Sequence, residues 1–315
     1  MAASTNPIIR LFSAVLGLFR IFQAVILNLI FVFLVIVIVV ALVGQPPLVI
    51  PQGSALVLNP AGTIVEQTTV SNPLDTLVNQ NINVGPEGEV LLQDILDVIN
   101  FAADDSRITS MVLRTDNLAG AALSHLQEVG RAMQSFRERN KKIYAVAGNY
   151  TQAQYYLASN ADEIMLNSYG AVGLEGFGAW QNYFGDAIKK LGINVHIFRV
   201  GAYKSAVEPY TQNAMSIEAR ENYTRLLGDL WENYVTDIST RRDLAQGVLE
   251  DLINNQDVHL ANYNGDTAEL ALQSHLVDRS ESLGDSITYL RTQIGADGDS
   301  FPSVDYQPYL RSKQR

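Results

Sequence analysis

An α/β domain built on a parallel sheet, preceded by one membrane-crossing helix, is the architecture this sequence predicts. Two observations carry it. A long apolar run lies near the N-terminus, and after it short apolar, β-rich stretches alternate with stretches whose apolar residues recur at helical spacing. Strands separated by helices favour βαβ units with right-handed crossovers in a parallel sheet.

The apolar run comes first. Leu29 to Val43 contains no polar residue, and extending back to Val25 admits only Asn28. A helix of about 19 residues spans ~29 Å, enough to cross the hydrocarbon of a bilayer. It is longer than the apolar core of a cleavable signal peptide, and Val43-Gly44-Gln45-Pro46-Pro47 is a poor cleavage site. Residues 25–43 are therefore expected to be a transmembrane helix. Residues 1–24, with Arg10 and Arg20 set among apolar positions, are expected to be a cytoplasmic or interfacial segment. Arg10 and Arg20 precede the run, whereas no Lys or Arg follows it until Arg107, which places the N-terminus in the cytoplasm and the rest outside it.

Residues 44–53 read as a proline-punctuated stalk, and the domain proper is expected over 54–296. Ser54 to Leu58 reads as its first strand, and Asn72 to Pro86 as a polar loop. Leu92, Ile95, Leu96 and Ile99 predict a helix from Glu89 to about Ala103. Ile108 to Leu113 follows as a buried strand, Leu123 to Arg139 as a helix closed by Asn140, and Lys142 to Ala147 as a strand. Gln152 to Ser159 reads as helix and Glu163 to Leu166 as strand. The glycine-rich run Gly170 to Gly178 lacks the dinucleotide-binding spacing and reads as a turn-rich wall. After a short helix over Asn182 to Leu191, Ile193 to Val200 is expected to be a buried strand. Ser216 is a plausible N-cap for a long helix reaching Arg241 and Arg242, whose stripe from Leu226 to Ile238 suits core or subunit packing. Val248 to Asn254 and Thr267 to Gln273 read as helices. Residues 297–315 carry weak order signals and read as a tail.

Composition excludes several chemistries. Without the two N-terminal arginines the chain holds 20 basic against 33 acidic residues, about −13, which rules against nucleic acid as a partner. Cysteine is absent, so there are no disulfides, thiolate nucleophiles or thiolate metal sites. The four histidines are scattered without metal-ligand spacing, and no metal or other cofactor is expected. A Gly-x-Ser-x-Gly elbow is missing. Asp104-Asp105, at a helix end, reads as a solvated pair rather than a catalytic one.

One lysine stands out. Gly201 breaks the stretch that ends at Val200, and Pro209 disfavours helix at Glu208, so Lys204 should lie on a non-helical connection just past a buried strand. A lysine desolvated at such a place gives up its proton more readily, at a cost of about 1.4 kcal/mol per pKa unit, and its neutral form can act as a general base. Any single lysine also has the plain reading of a solvated surface charge. Ser205 is a poor nucleophile for it, since neighbours in an extended stretch point to opposite sides.

The segment Phe198-Arg199-Val200-Gly201-Ala202-Tyr203-Lys204-Ser205-Ala206-Val207-Glu208-Pro209-Tyr210, with Ser216 to Arg220 and Gly148 to Ser159, resembles the N-terminal half of the long-form signal peptide peptidase A family (protease IV). The resemblance spans nearly the whole chain. It implies a crotonase-like (ClpP/crotonase) fold for the domain and the role of general base for Lys204. In that family a second half supplies the serine of a Ser/Lys dyad. Laid over Gly148 to Tyr156, the family's nucleophile segment puts Ala153 at the serine position and Gln154 and Tyr155 at the glycines. No Ala-Ser-Gly-Gly-Tyr segment occurs in the 315 residues. Gly120 falls where the family's catalytic half has a glycine pair, and is expected to keep only a turn.

What the resemblance implies is a membrane-anchored serine endopeptidase that degrades cleaved signal peptides, with this chain inactive alone. The serine would come from residues beyond Arg315 or from a partner chain, and assembly would be homo-oligomeric. Signal peptides and the lipid bilayer are the expected partners. The rival expectation is a membrane-tethered scaffold without enzymatic function.

Overall fold

The computed structural model describes residues 7–43, 48–69 and 88–314. It divides into two units, Met1–Leu48 and Val49–Arg315. In the first, α1 (Pro7–Val43) is one continuous helix, and its window Val15–Ile38 is long and apolar enough to cross a membrane. The separate interfacial segment expected before residue 25 is not set apart, because nothing between Arg10 and Val25 breaks a helix. Residues 44–47 of the expected stalk and the loop expected over 72–86 lie outside the described residues.

The second unit runs β1 (Ser54–Leu58), β2 (Gly62–Val65), β3 (Glu89–Leu91), α2 (Leu92–Asp104), β4 (Ile108–Arg114), β5 (Leu118–Ala121), α3 (Leu123–Glu138) and β6 (Lys142–Ala147). It continues with α4 (Gln152–Ala158), β7 (Glu163–Leu166), α5 (Gly185–Lys190), α6 (Glu208–Thr211), α7 (Ile217–Arg242), α8 (Val248–Asn254) and α9 (Gln256–Asn262). The last elements are α10 (Thr267–Gln273), β8 (Arg279–Ser280), α11 (Leu283–Ile294), β9 (Ser303–Asp305) and α12 (Tyr306–Lys313).

Six strands pair in the order β8-β7-β6-β4-β1-β9, every pair parallel. Leu56 stands opposite Met111, Met111 opposite Ile143, and Ala145 opposite Ile164. Strand β6 is buried at every residue after Lys142, the pattern of a parallel strand covered on both faces. Helices α2 and α3 pack against each other and bury Ile95, Val98, Ile99, Val129, Met133 and Phe136. A cluster of Val112, Tyr144, Val146 and Met165 is closed by Leu290 of α11 and by Phe301. A second, three-stranded sheet, β3-β2-β5, is also parallel. The expected α/β class with a parallel sheet is what the chain adopts.

Several local expectations are corrected. Glu89–Leu91 is strand, not the start of α2, because it pairs with β2 through Ile64 and Val90. Glu208 opens α6 rather than lying extended: Pro209 falls in the first turn, where its missing N–H costs nothing. Leu118–Ala121 is a strand, so Gly120 sits opposite Thr63 and not in a turn. The long helix α7 starts at its expected cap, with the Ser216 hydroxyl accepting from Ala219 N at 3.1 Å. Its stripe is buried only toward the C-terminus, at Tyr234, Val235 and Ile238, while Leu226 is exposed.

The residues after Ala296 are not a loose tail. β9 adds a parallel strand to the edge of β1, and α12 buries Tyr306, Tyr309 and Leu310. The fastening is Asp105, which is buried and not the solvated acid its sequence position suggested. Its carboxylate accepts from the Arg107 guanidinium at 2.7 and 2.9 Å, from Tyr309 Oη at 3.0 Å and from Lys313 Nζ at 3.0 Å. Asp104 does face solvent and pairs with Arg139.

Candidate functional site

Lys204 stands on the connection between α5 and α6, where no helix or strand forms. The buried strand expected over Ile193–Val200 is absent. All eight residues are exposed, Phe198 at 99%. Their apolar and polar side chains alternate at the β period, but no strand of the described residues lies alongside, and a strand exists only by pairing. Lys204 is itself exposed, and its ammonium has no partner among the described residues. The desolvation expected of it is therefore not supplied by the described part of this chain.

The loop that presents Lys204 is nevertheless fixed at both ends. The Arg199 guanidinium donates to the Lys204 carbonyl at 3.0 Å and comes within 3.9 Å of the Glu208 carboxylate. Glu208 is only 1% exposed, and its carboxylate accepts from the backbone N–H and hydroxyl of Ser216 at 3.1 and 2.6 Å. The hydroxyl that caps α7 is thus also the one that holds Glu208. Tyr203 donates its hydroxyl to Glu221 at 3.1 Å. Gly201 has φ +105°, open to glycine and strained for any other residue. The carbonyl of Ser205, beside the lysine, accepts from Glu208 N at 2.9 Å.

Ala153 lies in the first turn of α4, just past the carboxyl end of β6, the edge where open α/β sheets build their sites. Together with Ala119, Tyr150, Gly173 and Glu175 it lines an open cavity of about 480 Å³. Lys204 is not among the lining residues, so the structure does not bring these two positions together in one cavity. The neighbours of Ala153 are built into the scaffold. Gln154 closes a capping box with Thr151 and donates to the Leu118 carbonyl at 2.8 Å. Tyr155 donates to the Leu276 carbonyl at 2.7 Å. Tyr150 donates to the Met165 carbonyl, and burial holds its phenol well above the ordinary value, so it remains a donor.

The glycine-rich run forms the opposite wall. Tyr150 bridges Val172, and the Gln152 amide oxygen accepts from Glu175 N and Gly176 N. A Cβ on Gly170 would meet the Gly148 carbonyl at 2.2 Å, so the close passage of these two turns requires glycine. Sequence reasoning missed the Arg199, Glu208 and Ser216 link. Its one readable sign was the N-cap serine eight residues after a glutamate followed by proline.

The model of "Peptidase family S49" matches residues 135–297, just over half of the chain. Among curated proteins, Protease 4 of Salmonella typhi is 36% identical over 267 residues, 81% of this chain and 42% of that one. Protease 4 of Haemophilus influenzae is 46% identical over 151 residues, 48% of this chain and 25% of that one. The Arabidopsis thaliana "Serine protease SPPA, chloroplastic" is 25% identical over 214 residues, covering 68% and 30%. The chain thus spans less than half the length of the curated relatives named. An enoyl-CoA hydratase/isomerase of solved structure from Marinobacter aquaeolei overlaps 66% of this chain and 88% of its own at 12% identity and a TM-score of 0.24. An overlap of that size identifies no fold, and the class rests on the sheet order and strand directions above. On the match of its residues 135–297, this chain belongs to peptidase family S49.

Proposed function

We propose that this chain is the base-bearing part of a membrane-anchored serine endopeptidase of the Ser/Lys type, and that its substrates are signal peptides left in the membrane after cleavage. The observation that carries this reading is the presentation of Lys204: an exposed ammonium on a loop whose flanks are pinned by Arg199 and Glu208. A surface lysine of no consequence needs no such support. The position that would hold a nucleophile is Ala153, so the serine comes from residues outside this chain's described domain or from a second chain.

The chemistry follows from the two groups. Docking of a serine-bearing surface against the loop removes water from Lys204 and favours its neutral form. The neutral amine takes the serine hydroxyl proton as the oxygen attacks the peptide carbonyl, then returns it to the leaving amine. The helix α1 holds this domain at the bilayer, with the N-terminus cytoplasmic, where the products of secretion remain.

The test is kinetic and uses the complemented enzyme, this chain together with its serine-bearing half. Lys204→Arg keeps the charge and cannot accept a proton, so turnover of a signal peptide should fall by about 10²- to 10⁴-fold or more with folding intact. The rate of the wild type should rise with pH as the amine becomes neutral. Near-normal turnover by the arginine variant would remove the general base and favour a tethered scaffold.

A further inference from the structure

Helix α1 carries a single polar side chain in its longest apolar stretch. From Ala24 to Val43 only Asn28 is polar. As helix, Leu29 to Val43 spans about 22 Å, which is short of the ~30 Å hydrocarbon of a bilayer. Filling that thickness draws in about five more residues of the continuous helix, as far as Ala24, and Asn28 with them. Arg20 and Gln23 lie beyond, within reach of headgroups and water. Asn28 sits about 6 Å inside the boundary, farther than its short chain extends. It is exposed on the helix, and its amide has no hydrogen-bond partner among the described residues. Lipid offers none, and an unpaired amide in hydrocarbon is costly.

From this placement we infer that α1 pairs in the membrane with the α1 of a second copy of this chain, with Asn28 against Asn28. Three features select that occupant. Every copy crosses the bilayer in the same direction, so two α1 helices lie parallel and bring their Asn28 residues to the same depth. A primary amide is both donor and acceptor, so the two side chains satisfy each other, whereas an unrelated helix would need a polar group of its own at that depth. The face is also suited to a pair. Ile21, Ala24, Asn28, Phe31 and Val35 are spaced alternately by three and four residues, the seam of a two-stranded coiled coil. β-branched Ile21 and Val35 stand one heptad either side of Asn28, and Ala24 lets the backbones approach one turn before it. The inference rests on the reading of α1 as a membrane span given above, and on nothing assigned to Lys204.

The chain has no cysteine, so one introduced cysteine reports one position without background. The test is oxidative cross-linking of the full chain in membrane vesicles. Ala24→Cys and Phe31→Cys should give dimers, and Ile26→Cys, Ile30→Cys and Phe33→Cys, on the opposite face, at least fivefold less. Adding Asn28→Leu should lower the yield at Ala24→Cys at least fivefold, and Asn28→Gln, which keeps the amide, should restore most of it. Equal yields around the helix, an undiminished yield with Asn28→Leu, or adducts only to another protein would each overturn the inference. Carbonate extraction separates the two readings. A chain that stays in the membrane but cross-links evenly leaves the span standing and removes the pairing, whereas a chain washed off removes both.

Discussion

Asp105 and Lys204 are treated in opposite ways by the same fold. Asp105 is buried, and the Arg107 guanidinium, with Lys313 and Tyr309, holds its carboxyl well below the usual carboxylate range against the opposing effect of burial. A carboxyl whose folded pKa is depressed contributes stability that is complete above its unfolded value, about 3.9, and is lost as the pH falls toward the folded value. Asp105→Asn should therefore cost about 1.5–3 kcal/mol at pH 7, read as a lower melting temperature, since charged hydrogen bonds of that worth are removed. The gap between variant and wild type should narrow below about pH 4, as the Asp105 carboxyl of the unfolded wild-type chain takes up a proton that the folded one does not. A gap that stayed constant from pH 7 to 3 would mean that the charge plays no part. Among the described residues Lys204 has no comparable partner.

At the scale of elements, most of the sheet was legible because its strands are short apolar runs between clear helix signals. β1, β6 and β7 fall on their expected residues, and β4 and α7 differ by a residue or so. The failures share a cause. Ile193–Val200 has the β period, yet pairing is decided by what lies alongside, which no local pattern records. β3 is three residues long and runs into α2 without a breaker, so helical periodicity hides it. The end of the chain carried a readable sign that polar neighbours obscured: Tyr306, Tyr309 and Leu310 recur at i, i+3 and i+4. Ala153 falls in the helix and Lys204 on the non-helical connection expected for them, but their separation was not legible, because nothing local fixes the course of the loop from Leu191 to Val207. Because β9 and α12 close one edge of the sheet, deletion of residues 303–315 should lower the melting temperature sharply and expose apolar surface to a dye such as ANS. An unchanged melt would show that the sheet ends at β1 in energetic terms.

For the whole molecule, the apolar helix and the domain are separate units of one chain, and the proposed orientation rests on Arg10 and Arg20 ahead of the apolar run. Protease added to cells whose outer barrier has been opened should digest the domain, while cytoplasmic protease should not. A soluble product beginning near Gln45 would instead mean that the helix is removed as a signal sequence.

The proposed mechanism divides the labour: this chain would bring the base and another segment the serine. It is tested most directly by mapping the site of a serine-directed phosphonate, by mass spectrometry, on the full chain alone and after complementation. The chain alone should stay unlabelled, and the complemented enzyme should carry one label, on the serine of the added half, lost in Lys204→Arg. Stoichiometric labelling of Ser205, or of any other serine of this chain, would contradict the claim and make the domain self-sufficient.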